Sequence, residues 1–458
     1  MVLGISTSFP SQPYTMYYFQ WPRGVFFWVL LSAAVDLAMG YWLMGANNVL
    51  TTQRIDPVVN PGKVGPHVHD GVSSILDPPD SRACQRGLRV RLPTLRLLVL
   101  GGSNFGFTLS TASLRLSQCS SIPIEEDNSN YWYPKLYFWW ANGSFTSIVG
   151  NPVIYYLFGP EPGTTTAFPD DFRMLSGDPS LRTLDPSSFA QQAITYLCLD
   201  FEGKSERYNE LPKRRCPSGI RSQINFPSCW NGKDVDSPNH QSHISYLSTG
   251  PDSGTCNDTA YPVTLPRIFL EVYWYTQAFD DFRNKAMVPN QPFVFSNGDP
   301  IGYSLHADFY NGWRPGVLQR ALNECNCNPY GDPACCVAKG IFSMDQTKKC
   351  FITDTLLEQT SGTLAALPGA NPVQKDCFEL FTDPVTPAIL SPVYVHNGTG
   401  PTLSGTVTTP VQTAMETKEK PKGTCVANSA PSSGHRIELC PFSVLLIYGM
   451  KNPRVSQV

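Results

Sequence analysis

Residues 265–276 read LPRIFLEVYWYT, the clearest strand in the chain, and its reading decides the fold class. Branched and aromatic residues fill it, as they do strands packed on a sheet. Upstream, residues 219–226 (GIRSQINF) alternate: Ile220, Ser222, Ile224 and Phe226 share one face, and Arg221, Gln223 and Asn225 the other. Residues 130–138 (NYWYPKLYF) lead into Trp139 and Trp140 and are dense in strand-forming aromatics, with Pro134 marking an edge or bulge. Residues 151–160 and 194–199 read as further strands, with 168–178 a turn-rich connection. A strand at 293–295 enters a tight turn at 296–299, and GYSLHADF follows at 302–309. Residues 317–324 read as a short helix. Short, regularly spaced strands with dense turns predict an all-β protein, a β-sandwich of jelly-roll type.

Composition agrees. The 458 residues include 41 prolines and 35 glycines, which suits strands and turns better than long helices. A formal net charge of −3 gives no case for nucleic acid as a partner. Fourteen cysteines point to an oxidising compartment, and acceptor triplets at Asn142, Asn257 and Asn397 point the same way. Residues 25–39 (VFFWVLLSAAVDLAM) are short for a membrane span and carry Asp36. A cleaved signal peptide over residues 1–40 fits them better than an anchor, so no stable span is expected in the mature chain. The expected location is secreted, extracellular or cell-wall associated.

Four parts follow in order: the leader 1–40, a strand-rich domain 41–327, a Cys-rich irregular appendage 328–357 and a tail 358–458. Cys325, Cys327, Cys335, Cys336, Cys350 and Cys377 lack zinc-ribbon spacing and are read as disulfides stapling the appendage. The tail is rich in Thr, Pro, Ala, Gly and Ser and is expected to be largely disordered, with Cys425 and Cys440 placed to close one late loop. Residues 71–100 look foreign. Arg82, Arg86, Arg89, Arg91 and Arg96 occur with no acid after Asp80, and PHVHD before and GGSNFGFTLS after read well if joined. Val72-Ser73 is what the intron donor sequence GTGAGT encodes, so a retained intron is expected there.

Site chemistry concentrates at 226–246 (FPSCWNGKDVDSPNHQSHISY). Gly232, Pro238 and Asn239 exclude a helix, so this is a long irregular loop carrying Trp230, Lys233, Asp236, His240 and His243. Five of the seven histidines fall in three tight motifs: His67-x-His69, His240-x-x-His243, and His306 two residues before Asp308. Residues two apart on a strand share a face, so each close pair can aim at one spot. The expectation is that imidazoles from all three motifs meet in one wet cleft.

Three chemistries suit such a set. A lyase acting on uronic-acid polysaccharide needs a base, a carboxylate-neutralising group and an acid for the leaving oxygen. His67, His69, His240, His243 and His306 offer bases, Arg221 or Lys233 the cation, and Tyr303 a donor. A glycosidase would use two carboxylic acids, for which Asp236 and Asp308 are the candidates. Alternatively, the His and Asp pairs supply ligands for zinc or copper. The third reading is non-catalytic binding of cell-wall glycan, with Trp132, Trp230 and Trp313 as sugar-stacking surfaces and Arg54 as a polar contact. No residue is assigned to a cofactor, and the metal is left open.

The motifs YWLMGANNVLTTQRIDP, PHVH, GGSNF, NYWYPKLYF, GIRSQINFPSCWNGKDVDSPNHQSHISY, LPRIFLEVYW and FSNGDPIGYSLHADFYNGW together resemble the domain of unknown function numbered nineteen ninety-six, over about residues 41–327. The resemblance implies a secreted protein of the kind common in filamentous fungi, with an association to carbohydrate-binding modules. Arg54, Asp56, His67, His69, Arg221, Cys229, Trp230, Gly232, Lys233, Asp236, His240, His243, His306 and Asp308 match its polar positions. Asn231 departs from the acid usual in the family after the tryptophan.

Overall fold

The computed structural model describes residues 40–72, 74–75, 110–117, 119–326, 330–400, 404–409 and 411–413. The leader up to residue 39, most of the proposed intron and the Cys425–Cys440 loop lie outside them.

Two antiparallel sheets are built from eleven strands: β1 Gly40–Gly45, β2 Thr51–Gln53, β3 His69–Val72, β4 Asn130–Pro134, β5 Gly150–Phe158, β6 Arg173–Gly177, β7 Ile194–Cys198, β8 Glu206–Tyr208, β9 Ile220–Asn225, β10 Arg267–Trp274 and β11 His306–Tyr310. The six-stranded sheet runs β1-β5-β10-β9-β7-β8, and the five-stranded sheet runs β6-β11-β4-β3-β2. The protein is all-β, and LPRIFLEVYWYT is the inner strand β10, paired along its length with β5 on one side and β9 on the other.

Strand alternation explains how the sheets meet. Trp42, Ile154, Tyr156, Ile220, Ile224, Leu270, Val272 and Trp274 of one sheet share a core with Val72, Tyr131, Tyr133, Met174, Ala307 and Phe309 of the other. Polar tips inside this core are paired: the Tyr131 and Tyr156 hydroxyls lie 2.6 Å apart, and Trp313 Nε1 donates to Tyr156 at 2.8 Å. At 173–177 the structure has strand β6 where a turn-rich connection was expected. The helix Val317–Glu324 forms as read.

Four disulfides join described residues: Cys119–Cys350, Cys198–Cys216, Cys229–Cys256 and Cys325–Cys336. Such cross-links belong to oxidising compartments. Cys350 reaches back to Cys119, 231 residues away, and so binds the supposed appendage to the domain. The chain beyond it is also held. Thr363–Leu364 pairs with 145–146, and Leu364 and Leu367 pack with Tyr137, Phe145 and Val294. Short ladders continue to Thr413. A Thr/Pro-rich composition led to the expectation of disorder, but scattered apolar residues find buried seats. The acceptor residues Asn142, Asn257 and Asn397 are all exposed.

Candidate functional site

The five-stranded sheet has two faces. Val72, Tyr131, Tyr133, Ala307 and Phe309 point into the shared core, so His69, Gly71, Trp132, His306 and Asp308 point to the other side. Register fixes their order. Gly71 pairs with Trp132, and Trp132 with Asp308. His69 pairs with Pro134, and His306 with Gly177 at the far edge. Gly71 is required because a Cβ there would lie 2.6 Å from the Trp132 ring. Gly177, at φ 85°, leaves no room for a Cβ beside the Leu305 carbonyl oxygen.

His67 and His69 therefore reach across β4 to His306. Nε2 of His306 lies 3.1 Å from Nε2 of His67 and 3.3 Å from Nε2 of His69. Nδ1 of His306 donates to the Ser304 carbonyl at 2.8 Å, which leaves Nε2 as a bare lone pair facing the other two rings. The cluster is dry: His67, His69, His306 and Asp308 are 4, 0, 3 and 0 % exposed. Burial depresses all three imidazoles, and for His67 and His306 neighbouring histidines add to it; His69 falls to about 3 and His306 to about 4. All three are neutral at pH 7.

Asp308 adds the second half of the site. Both its carboxylate oxygens are buried and accept no hydrogen bond. Burial, and then the nearby Asp56 charge, push it well above the usual carboxylate range. A buried carboxylate without a donor or counter-charge costs several kcal/mol. Asp56 itself accepts from the backbone of Val58 and Val59 at 3.0 and 2.7 Å. Ligand atoms of His67, His69 and His306 lie within 4.8 Å of one another, as do those of Asp56, His69 and Asp308.

The loop histidines form a separate group. Residues 235–240 run along the edge of β6, where Arg173 N donates to Val235 and Leu175 N to His240. Asp236 accepts from His240 Nδ1 and from Arg173 Nε, both at 2.7 Å. His240 takes a left-handed backbone, φ 55°, to make that contact, a strained choice for a non-glycine residue. His243 is buried, and both its nitrogens are used: Nε2 donates to the Arg173 carbonyl at 3.0 Å and Nδ1 accepts from Ser237 at 2.9 Å. The electrostatic neighbours of His243 are Asp236, His240 and Asp234, whereas those of the buried triad are its own members with Arg54, Arg182, Asp56 and Asp178. The three motifs thus form two groups, one of them sealed, in place of one wet cleft.

The remaining candidates scatter. Trp132 and Trp313 are core residues with no open ring face. Trp230 is half-buried and donates to the Asp234 carbonyl at 2.7 Å, and Lys233 is exposed beside it. Arg221 pairs with Glu271 at 3.2 Å on the six-stranded sheet, and Gln223 and Asn225 beside it are buried in pairs with Glu271 and Arg267. Tyr303 contacts Glu210 at 3.4 Å. Arg54 is buried between Glu358 and Asp383, each at 2.7 Å. Sequence reasoning passed over Arg173, because its segment lacked a strand signature, and Ser304, whose contribution is a backbone carbonyl that no side-chain pattern encodes.

Fold and site together define a disulfide-linked all-β protein with a buried histidine–carboxylate cluster. Residues 97–313 match the family model described as Domain of unknown function (DUF1996). The match includes the 226–246 loop, His306 and Asp308, and it begins after His67 and His69, which the fold joins to them. No curated protein and no solved structure matches the chain. Among the described residues no helix is long and apolar enough to cross a membrane.

Proposed function

We propose that this is a secreted metalloprotein in which His67, His69 and His306 hold one divalent transition-metal ion of the zinc class. The observation that carries the reading is the meeting of three neutral imidazoles, with His306 Nε2 at 3.1 and 3.3 Å from Nε2 of His67 and His69. Metal–nitrogen bonds of about 2.0–2.1 Å at tetrahedral angles set ligand nitrogens about 3.3 Å apart. Neutral imidazoles and a carboxylate suit zinc better than the all-oxygen cations. A cation also removes the penalty on an ionised Asp308. With three buried protein ligands and no exposed side, the ion fixes β3 and the 54–67 segment to β11. Elemental analysis of purified protein tests this. One ion per chain, lost in His306→Ala or His69→Ala, is expected; a folded wild type free of metal overturns it.

One observation favours a second activity on the loop. Asp236 orients His240 so that Nε2 carries no protein hydrogen bond, and the Arg173 guanidinium sits on the other Asp236 oxygen. A base beside a cation suits β-elimination on a uronic-acid polysaccharide. His240 takes the C5 proton, the C4–oxygen bond breaks, the electron pair forms the C4=C5 double bond, and the leaving oxygen takes a proton from water. Ultraviolet absorbance of unsaturated product from a polyuronate panel is expected, and is lost in His240→Gln. Reducing ends released without that absorbance would replace elimination by hydrolysis, and binding alone would leave a wall-glycan module.

A further inference from the structure

The metal reading leaves open how an ion reaches a sealed cluster, and the C-terminal segment bears on that. Residues 355–383 are bound to each of the three segments around the histidines. On the first, Gln53 Oε1 accepts from the backbone of Thr355 and Leu356 at 2.7 and 3.1 Å, and Arg54 grips Glu358 and Asp383. Asn371 Nδ2 donates at 2.7 Å to the carbonyl of Pro66, the neighbour of His67. On the second, Arg182 Nε donates to the Gln374 carbonyl at 2.8 Å, and its guanidinium lies over the Phe378 ring at 5.2 Å. On the third, Gln374 N donates to the Gly298 carbonyl at 2.8 Å. Gly298, at φ 78°, allows this close approach, because a Cβ there would collide with the Pro372 carbonyl oxygen. Few of these contacts are apolar. Within 368–383, Val373 packs against the Tyr137 cluster and Cys377 is fixed by a disulfide. The contacts to Arg54, Pro66, Arg182 and Gly298, in contrast, are charge pairs, single hydrogen bonds and one ring contact, Glu358 and Asp383 being 17 and 18 % exposed, so these contacts are the ones that can part.

We propose that residues 368–383 form a strap controlling passage of the ion to and from the His67–His69–His306 cluster, with Arg54 as its clasp. This rests on the metal reading. When the strap is seated, the loops carrying His67 and leading to His306 are pinned and the ion is trapped. When Arg54 loses its two carboxylates, the strap lifts from Pro66 and Gly298 and exchange becomes fast. The experiment uses the full chain carrying its ion and follows transfer of that ion to a chromophoric chelator. Glu358→Gln with Asp383→Asn is expected to speed release at least tenfold while the ion content stays at one per chain, and Asn371→Ala severalfold. High salt is expected to speed release from the wild type and to leave the double variant unchanged. Should the double variant fold poorly, the Asn371→Ala rate and the wild-type salt response decide the matter. Release at the wild-type rate from these variants overturns the strap alone. A wild type without any ion overturns the metal reading instead, so the two failures are distinct.

Discussion

The two histidine groups of this protein stand on either side of strand β6 and differ in almost every physical respect. The triad His67–His69–His306 is dry, neutral and aimed inward at itself. The pair on the 226–246 loop is oriented by Asp236 and Ser237, with His243 buried and His240 reaching the surface. Histidines at similar spacing therefore do different work according to what lies over them. Imidazoles sealed against one another need a shared cation or proton. An imidazole held by a carboxylate at the surface has one nitrogen left to use.

Acid should separate the groups most strongly. Each triad imidazole sits below its ordinary value of 6.5 in the folded chain, so the unfolded chain binds more protons as pH falls. Their stabilising contribution is complete above about pH 6.5 and is lost as pH drops toward 4. With three groups titrating, the chelated protein should lose about 4 kcal/mol per pH unit there. Denaturant midpoints at stepped pH check this, and a flat profile between pH 6 and 4.5 would break the contrast.

His69→Ala should follow, costing about 3–5 kcal/mol in denaturant unfolding together with the ion, because it opens a buried polar cluster. His243→Ala should cost about 2–3 kcal/mol, since a buried ring with two hydrogen bonds is removed and its partners are left unpaired. Its effect sharpens the comparison by placing His243 with the packed residues although it lies on the loop. His240→Ala should cost under about 1 kcal/mol and relieve the left-handed backbone only slightly. If His240→Ala destabilised as much as His69→Ala, the loop pair would be structural as well.

Much of this was legible before any coordinates. Alternation at 219–226 and the aromatic runs at 130–138 and 265–276 placed β9, β4 and β10, because burial on one face leaves a period of two. The His-x-His and His-x-Asp spacings marked His67 with His69, and His306 with Asp308, as sharing a face. The meeting of the first and third motifs was expected, but their sealing and the separation of His240 and His243 were not legible, because strand order and burial are non-local properties. The same limit hid the role of Arg54, whose partners Glu358 and Asp383 lie some three hundred residues away in a segment with a linker's composition. The run around Trp132 reads more readily as core than as sugar platform, Trp313 was also a candidate platform, and burial places both in the core.

The measurement that bears most directly on the central claim is an anomalous difference map from crystals of the full chain, recorded on both sides of the zinc edge. The account predicts one strong peak bonded to the Nε2 atoms of His67, His69 and His306. A map without a peak there, in crystals grown with zinc present and with the three rings in these positions, would contradict it.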